Sequence, residues 1–158
     1  MAEIRENQEL HMTNVLSMRK RVTAQDLQQE MERIGHFVKS NGLRRIGPKV
    51  TATFAVAMEN GRQIMDVEVL IPLDRPFDPP EGCVYKPLFR LVNAVTIQHI
   101  GNPATLQDTY NTLLAYIQEH QLQAITPGYN VAVQEVETPD KIDQLIVDVY
   151  IGVSHNIL

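Results

Sequence analysis

The chain has 158 residues, 44% of them hydrophobic, enough to bury a core and suited to one domain better than to two independent ones. Its net charge of -5 comes without a long acidic or basic run, so nothing draws it to nucleic acid or to an anionic membrane surface. The single cysteine, Cys83, excludes an intramolecular disulfide; with no apolar leader and no window approaching the roughly 18 apolar residues of a membrane span, a soluble cytoplasmic protein is expected.

Residues 1–12 are polar, have no core to join, and are expected to be frayed or disordered. They are too few for a helix-turn-helix. From Asn14 to Val22, Leu16 and Met18 alternate with Ser17 and Arg19, the period of a half-buried strand. Thr23 then offers a hydroxyl to the free amides of a helix start, with Asp26 three residues on as a capping box. Leu27, Met31, Ile34 and Val38 draw one apolar stripe along that helix, and Asn41-Gly42 ends it. Val50 to Met58 is strand-like by residue type, Asn60-Gly61 makes a tight hairpin turn, and Ile64 to Ile71 returns. A proline-rich linker over residues 75–84 follows.

The second half opens with a longer strand from Tyr85 to Ile100, carrying Phe89, Leu91, Val95 and Ile97. Gly101-Asn102-Pro103 breaks it and starts a second helix, Asn being a good cap and Pro suited to the first helical position. Its stripe is Leu106, Tyr110, Leu113 and Ile117. Tyr129 to Val136 and Ile142 to Val153 form a closing hairpin around Thr138-Pro139-Asp140.

The two halves say the same thing. A shift of 79 positions lays Leu16, Met18, Leu27, Met31, Ile34 and Val38 on Val95, Ile97, Leu106, Tyr110, Leu113 and Ile117, and a shift of 82 brings Asp66 to Asp148 in the last strands. The expected fold is therefore α+β: duplicated strand-helix-strand-strand units, half-units 13–74 and 85–154, sharing an antiparallel sheet with both helices on one face.

In the two closing strands, Met65, Val67, Val69 and Ile71, and Val147, Val149, Ile151 and Val153, are assigned to the helix side. Asp66, Glu68 and Leu70, and Asp148, Tyr150 and Gly152, point the other way. Acidic residues are poor strand formers, so these carboxylates either face water or line a cavity beside Tyr150. Tyr110 lies on the helical stripe, as core or as ligand contact, and His99 ends its strand close enough to the second helix to line a cleft. No histidine pair has metal-ligand spacing, and no nucleophile elbow, phosphate loop or dinucleotide fingerprint is present, so neither metal, cofactor nor enzymatic activity is expected.

Three stretches carry a resemblance: His99-Ile-Gly-Asn-Pro103, the helix from Thr105 to Tyr116, and the strand Ile146-Val-Asp-Val-Tyr-Ile-Gly-Val153. Together they resemble the GyrI-like, or bacterial effector-binding, superfamily, with its H-x-G-x-y turn, T-Y-x-x-L-x-x-W helix and E-I-Y-x-P-V strand. The likeness covers residues ~12 to 154 and implies a single domain over residues 13–154 that binds small, often cationic and aromatic molecules against a buried acid. Asp148 stands at that acid's position with Tyr150 beside it; the family's usual Glu, Trp and Pro are here Asp148, Tyr116 and Gly152. The stretch Thr112 to Pro127 also looks like a Gram-positive family found near type VII secretion and LXG toxin genes, which implies an accessory role.

The function these readings converge on is a stand-alone, non-enzymatic small-molecule binding domain. Its expected ligand is cationic or hydrophobic, held in a cleft between the halves lined by Asp148, Tyr150, Asp66, Glu68, Tyr110 and His99. The alternative is a protein-interaction module with no small ligand; hydrolysis through Asp148 with Tyr150 or Glu68 is a third reading.

Overall fold

A computed structural model describes residues 3–156. The chain order is β1 (Ile4–Val22), α1 (Ala24–Ser40), β2 (Val50–Glu59), β3 (Arg62–Pro72), β4 (Cys83–Ile100), α2 (Leu106–Glu119), β5 (Gln123–Ala124), β6 (Tyr129–Gln134) and β7 (Ile146–Ser154). Short 3-10 turns occupy Pro103–Thr105 and Pro139–Gln144. The fold is α+β with antiparallel strand pairing, and no described helix is long and apolar enough to cross a membrane. Two compact units result: one is the continuous segment Met12–Phe89, and the other joins the chain up to His11 with the chain from Arg90 onward.

The expected frayed segment 1–12 is a correction: residues 1 and 2 lie outside the described residues, but Ile4 onward is strand. Its polar side chains stay mostly exposed, but Leu10 and Met12 are buried. Tyr116 donates its hydroxyl to Glu6, Glu9 pairs with Arg90 at 3.0 Å, and Ile4 packs on the core beneath α2. The unit boundaries accordingly fall inside β1 and β4, not at the expected 13–74 and 85–154. The proline-rich linker is irregular from Asp74 to Gly82, and strand resumes at Cys83.

In the unit Met12–Phe89, β3 is the middle strand. Leu16 and Met18 of β1 stand opposite Ile71 and Val69, and Val50 of β2 stands opposite Leu70. Ile34 of α1 closes a core with Leu16, Met18, Val69 and Ile71. The capping box forms as its residues demand: Thr23 Oγ1 accepts from the Asp26 amide at 3.1 Å, and the Asp26 carboxylate accepts from the Thr23 amide at 3.4 Å. Asn60 and Gly61 both take positive φ, 52° and 75°, as a primed hairpin turn requires. Glu30 then ties α1 to β1, accepting from Lys20 at 2.9 Å and from Arg33 at 2.7 Å.

In the other unit β7 is the middle strand, with Val95 and Ile97 of β4 opposite Ile151 and Val149, and Tyr129 of β6 opposite Tyr150. Leu113 and Ile117 of α2 pack on Val95, Ile97, Val149 and Ile151. Here the boundaries move. The Asn102 side chain accepts from the Ala104 amide at 2.9 Å and caps a 3-10 turn, so α2 begins only at Leu106. Pro139–Gln144 also coils, with Lys141 donating to the Thr138 carbonyl and Leu145 to that of Ile142, which delays β7 to Ile146 and ends β6 at Gln134. Gly152 fits only without a side chain: a Cβ would lie 2.8 Å from Leu91 Cδ1 and 2.9 Å from Thr126 Cγ2.

Two stability predictions follow from these contacts. Leu113→Ala, which hollows a fully buried site, is expected to cost about 2–5 kcal/mol in denaturant unfolding. The Glu30 carboxyl is held below its ordinary range first by the Lys20 hydrogen bond and then by that of Arg33. A depressed folded-state value contributes stability above the unfolded-state value, about 4.3, and loses it as pH falls through the folded one. The stability gap between wild type and Glu30→Gln should thus shrink as pH falls below about 4.3; a pH-independent gap in urea titrations would refute the assignment.

Candidate functional site

Because β7 is paired on both sides, its alternation divides its side chains without exception. Val147, Val149, Ile151 and Val153 go beneath α2, and Asp148, Tyr150 and Gly152 go to the opposite face. The β4 register then selects their neighbours: Gln98 stands opposite Asp148, and Thr96 opposite Tyr150. Gln98 Nε2 donates to Asp148 Oδ1 at 2.9 Å. The second Asp148 oxygen, the Tyr150 hydroxyl and the Thr96 hydroxyl form no hydrogen bond with any described residue.

These groups line a cavity of about 670 Å³. A second wall is His99 at the end of β4 with Thr105 and Thr109 at the start of α2. A third comes from Glu3, Arg5 and Gln8 at the beginning of the chain. His99 is only 4% exposed. Its Nε2 lies 3.0 Å from the Asn102 carbonyl, which can only accept, so Nε2 bears a proton and donates, while Nδ1 lies 2.8 Å from the Thr109 hydroxyl, which can donate or accept. Both nitrogens are thereby used, Nδ1 toward α2 and Nε2 toward the turn at Asn102. Arg5 and Glu3 pair with each other at 3.3 Å, which leaves Asp148 as the uncompensated charge among the described lining residues. The Tyr150 phenol is pushed above its ordinary range, first by burial and then by the negative charge of Asp148.

Of the six residues singled out in the sequence, Asp148, Tyr150 and His99 share this cavity. The other three are engaged elsewhere. Tyr110 packs in the α2 core, its ring so close to Gly128 that a Cβ there would lie 2.6 Å from Cε2. Asp66 takes a two-pronged ion pair from Arg19 at 3.2 and 3.1 Å, and the guanidinium lies 3.8 Å over the Phe54 ring. Those hydrogen bonds hold the Asp66 carboxyl below its ordinary range. Glu68, 7% exposed, accepts from Ser17 at 2.7 Å and Lys86 at 2.8 Å. The residues the sequence did not announce are Thr96, Gln98, Thr109 and the Glu3–Gln8 segment. Only Thr96 left a trace, a polar residue between Val95 and Ile97.

The model of the GyrI-like small molecule binding domain matches residues 6–154. No curated protein matches. Among solved structures, the chain is similar to the EcmrR C-terminal domain, with a TM-score of 0.77 and 17% identity over 99% of this chain and 98% of that one. Against EcmrR in its DNA complex the TM-score is again 0.77, at 16% identity; 99% of this chain is covered but only 58% of that one, so this chain spans little more than half its length. An uncharacterized conserved protein from Listeria innocua gives a TM-score of 0.62 at 11% identity over 97% and 92% of the two chains. A protein described as a hydrolase from Listeria innocua gives 0.56 at 13% over 97% and 91%. At these identities the likeness is one of fold. Neither the family match nor these structures bear on the resemblance to proteins of type VII secretion loci.

The Asp148–Tyr150 pairing has a spectroscopic consequence. Asp148→Asn removes the charge that opposes phenolate formation, so one tyrosine should ionise at lower pH in ultraviolet difference titration, and Tyr150→Phe should delete that same component. Superimposable titrations of wild type and Asp148→Asn would show that the carboxylate does not act on the phenol.

Proposed function

The chain belongs to the family of GyrI-like small molecule binding domains, and within it we propose a non-enzymatic binding protein that holds a small cation against Asp148. One observation carries this reading: in a cavity of about 670 Å³ stands a half-buried carboxylate with one oxygen fixed by Gln98, while among the described residues its other oxygen and the neighbouring phenol have no hydrogen-bond partner. That volume lies within the range of ordinary ligand sites, roughly 300–1,000 Å³. Shielding from bulk water strengthens the attraction of such a carboxylate for an ammonium, and the neighbouring phenol hydroxyl supplies orientation.

Binding is favoured over turnover because, among the described lining residues, the one imidazole has both nitrogens occupied and there is no serine or cysteine for it to activate. DNA binding and hydrolysis are properties named for EcmrR and for the Listeria innocua protein, and no group in this cavity calls for either.

We also infer that the two units are copies. Asn14 and Asn93, 79 positions apart, both interrupt a strand with positive φ, 51° and 56°. Asp66 then corresponds to Asp148 and Arg19 to Gln98, so the first copy answers its acid with its own guanidinium over Phe54, where the second leaves the acid to a ligand.

The test is a thermal-shift series of amines and their neutral amide counterparts on wild type and Asp148→Asn. A cation at about 100 times its dissociation constant stabilises the native state by about 2.7 kcal/mol, a rise of roughly 5–10 °C at this size. Asp148→Asn should weaken the amines at least tenfold and the amides little. Equal losses in both series would remove charge recognition from the account.

A further inference from the structure

We infer that the cation is hydrophilic, of the amino-sugar class, rather than a lipophilic aromatic cation; this rests on the reading of the cavity as a ligand site. The walls decide it. Among the described lining residues Tyr150 is the one aromatic, and the one aliphatic, Ile100, is itself 62% exposed. Seating a polycyclic aromatic cation here would press its rings against Thr96, Gln98 and Thr109 and strip water from groups it cannot satisfy, and it would find little apolar surface in return.

The polar groups are also arranged for something hydroxylated. Thr96 is only 9% exposed, yet its hydroxyl forms no hydrogen bond with a described residue and the residue lines the cavity. Directly across the strand pair is Tyr150, whose hydroxyl forms no hydrogen bond with a described residue, and one step along the same face are Asp148 and Gln98. Successive residues on one face of a strand are spaced by roughly 7 Å, about the span of one sugar ring with its hydrogen bonds. An ammonium on Asp148 thus places a ring hydroxyl between Thr96 and Tyr150, each of which both donates and accepts. With Glu3 and Arg5 paired to one another, the described lining residues offer one open negative charge, which suits an amine on a polar body and gives a linear polyamine no second anchor among them. The volume of about 670 Å³ leaves room for more than one ring.

Isothermal titration calorimetry on the full chain separates the possibilities, with a fully deacetylated glucosamine disaccharide, its diacetyl form, cellobiose, spermine and ethidium as probes. The deacetylated disaccharide should bind at least tenfold more tightly than each of the others and lose at least tenfold in Asp148→Asn. Thr96→Val should weaken it about three- to tenfold, one hydrogen bond's worth, while Thr96→Ser retains it and ethidium is unaffected by either. Melting curves of all variants report that each is folded. Ethidium binding more tightly than the disaccharide, with the same dependence on Asp148, would overturn the amino-sugar class and keep the cation site. Cellobiose binding as tightly as the deacetylated disaccharide would overturn the class by removing the cation. No Asp148-dependent binding by any probe would overturn the class together with the cation site it rests on.

Discussion

A strand hydrogen-bonded along both edges keeps no freedom except which face each side chain takes, and β7 is such a strand. Four aliphatic side chains must lie beneath α2, so Asp148 and Tyr150 must lie on the other face. A slip of one residue would drive Asp148 into the α2 core and present Val149 to the cavity, a change the core does not tolerate. The packing of Leu113 and Ile117 on Val149 and Ile151 thus fixes the position of groups they never touch. The cavity's chemistry is a by-product of where the core must go.

Most of the fold was legible because its signals are local. Thr23 and Asp26 specify their own helix start, Asn60-Gly61 its own turn, and the two helical stripes their buried faces. The first strand was not legible before Asn14 because its early residues are polar and its alternation is interrupted by residues of positive φ, Asn7 at 57° and Asn14 at 51°. Beyond Asn14, Val15 to Met18 are buried without a break, a run that period-two reading does not anticipate. The stretch before β7 failed differently. Ile142 looks like strand by residue type, but Pro139 opens a turn that holds it in a 3-10 coil through Gln144.

The site was half legible for a related reason. Acids in mid-strand are visible in a sequence, while the partners that answer them are matters of register between strands some fifty residues apart. Asp66, Glu68 and Asp148 look alike on paper. In the structure Arg19 takes the first, Ser17 and Lys86 take the second, and only Gln98, a neutral amide on a single oxygen, takes the third. The difference between a structural acid and an available one lies in what stands opposite, and nothing in the acid's own neighbours in sequence records it.

The division of β1 between the units has a consequence for the order in which the protein can be made. Met12–Phe89 is one unbroken stretch and has all its own strands and its helix once Phe89 has been synthesised. The cavity draws Glu3, Arg5 and Gln8 from β1 and the residue before it, and Asp148 and Tyr150 from β7, the last strand of the fold. Its earliest wall must therefore wait until β4 and β7 have both been synthesised. The cavity is then a late property of the nascent chain: a ribosome stalled between Phe89 and β7 carries the complete Met12–Phe89 segment but only part of the cavity wall.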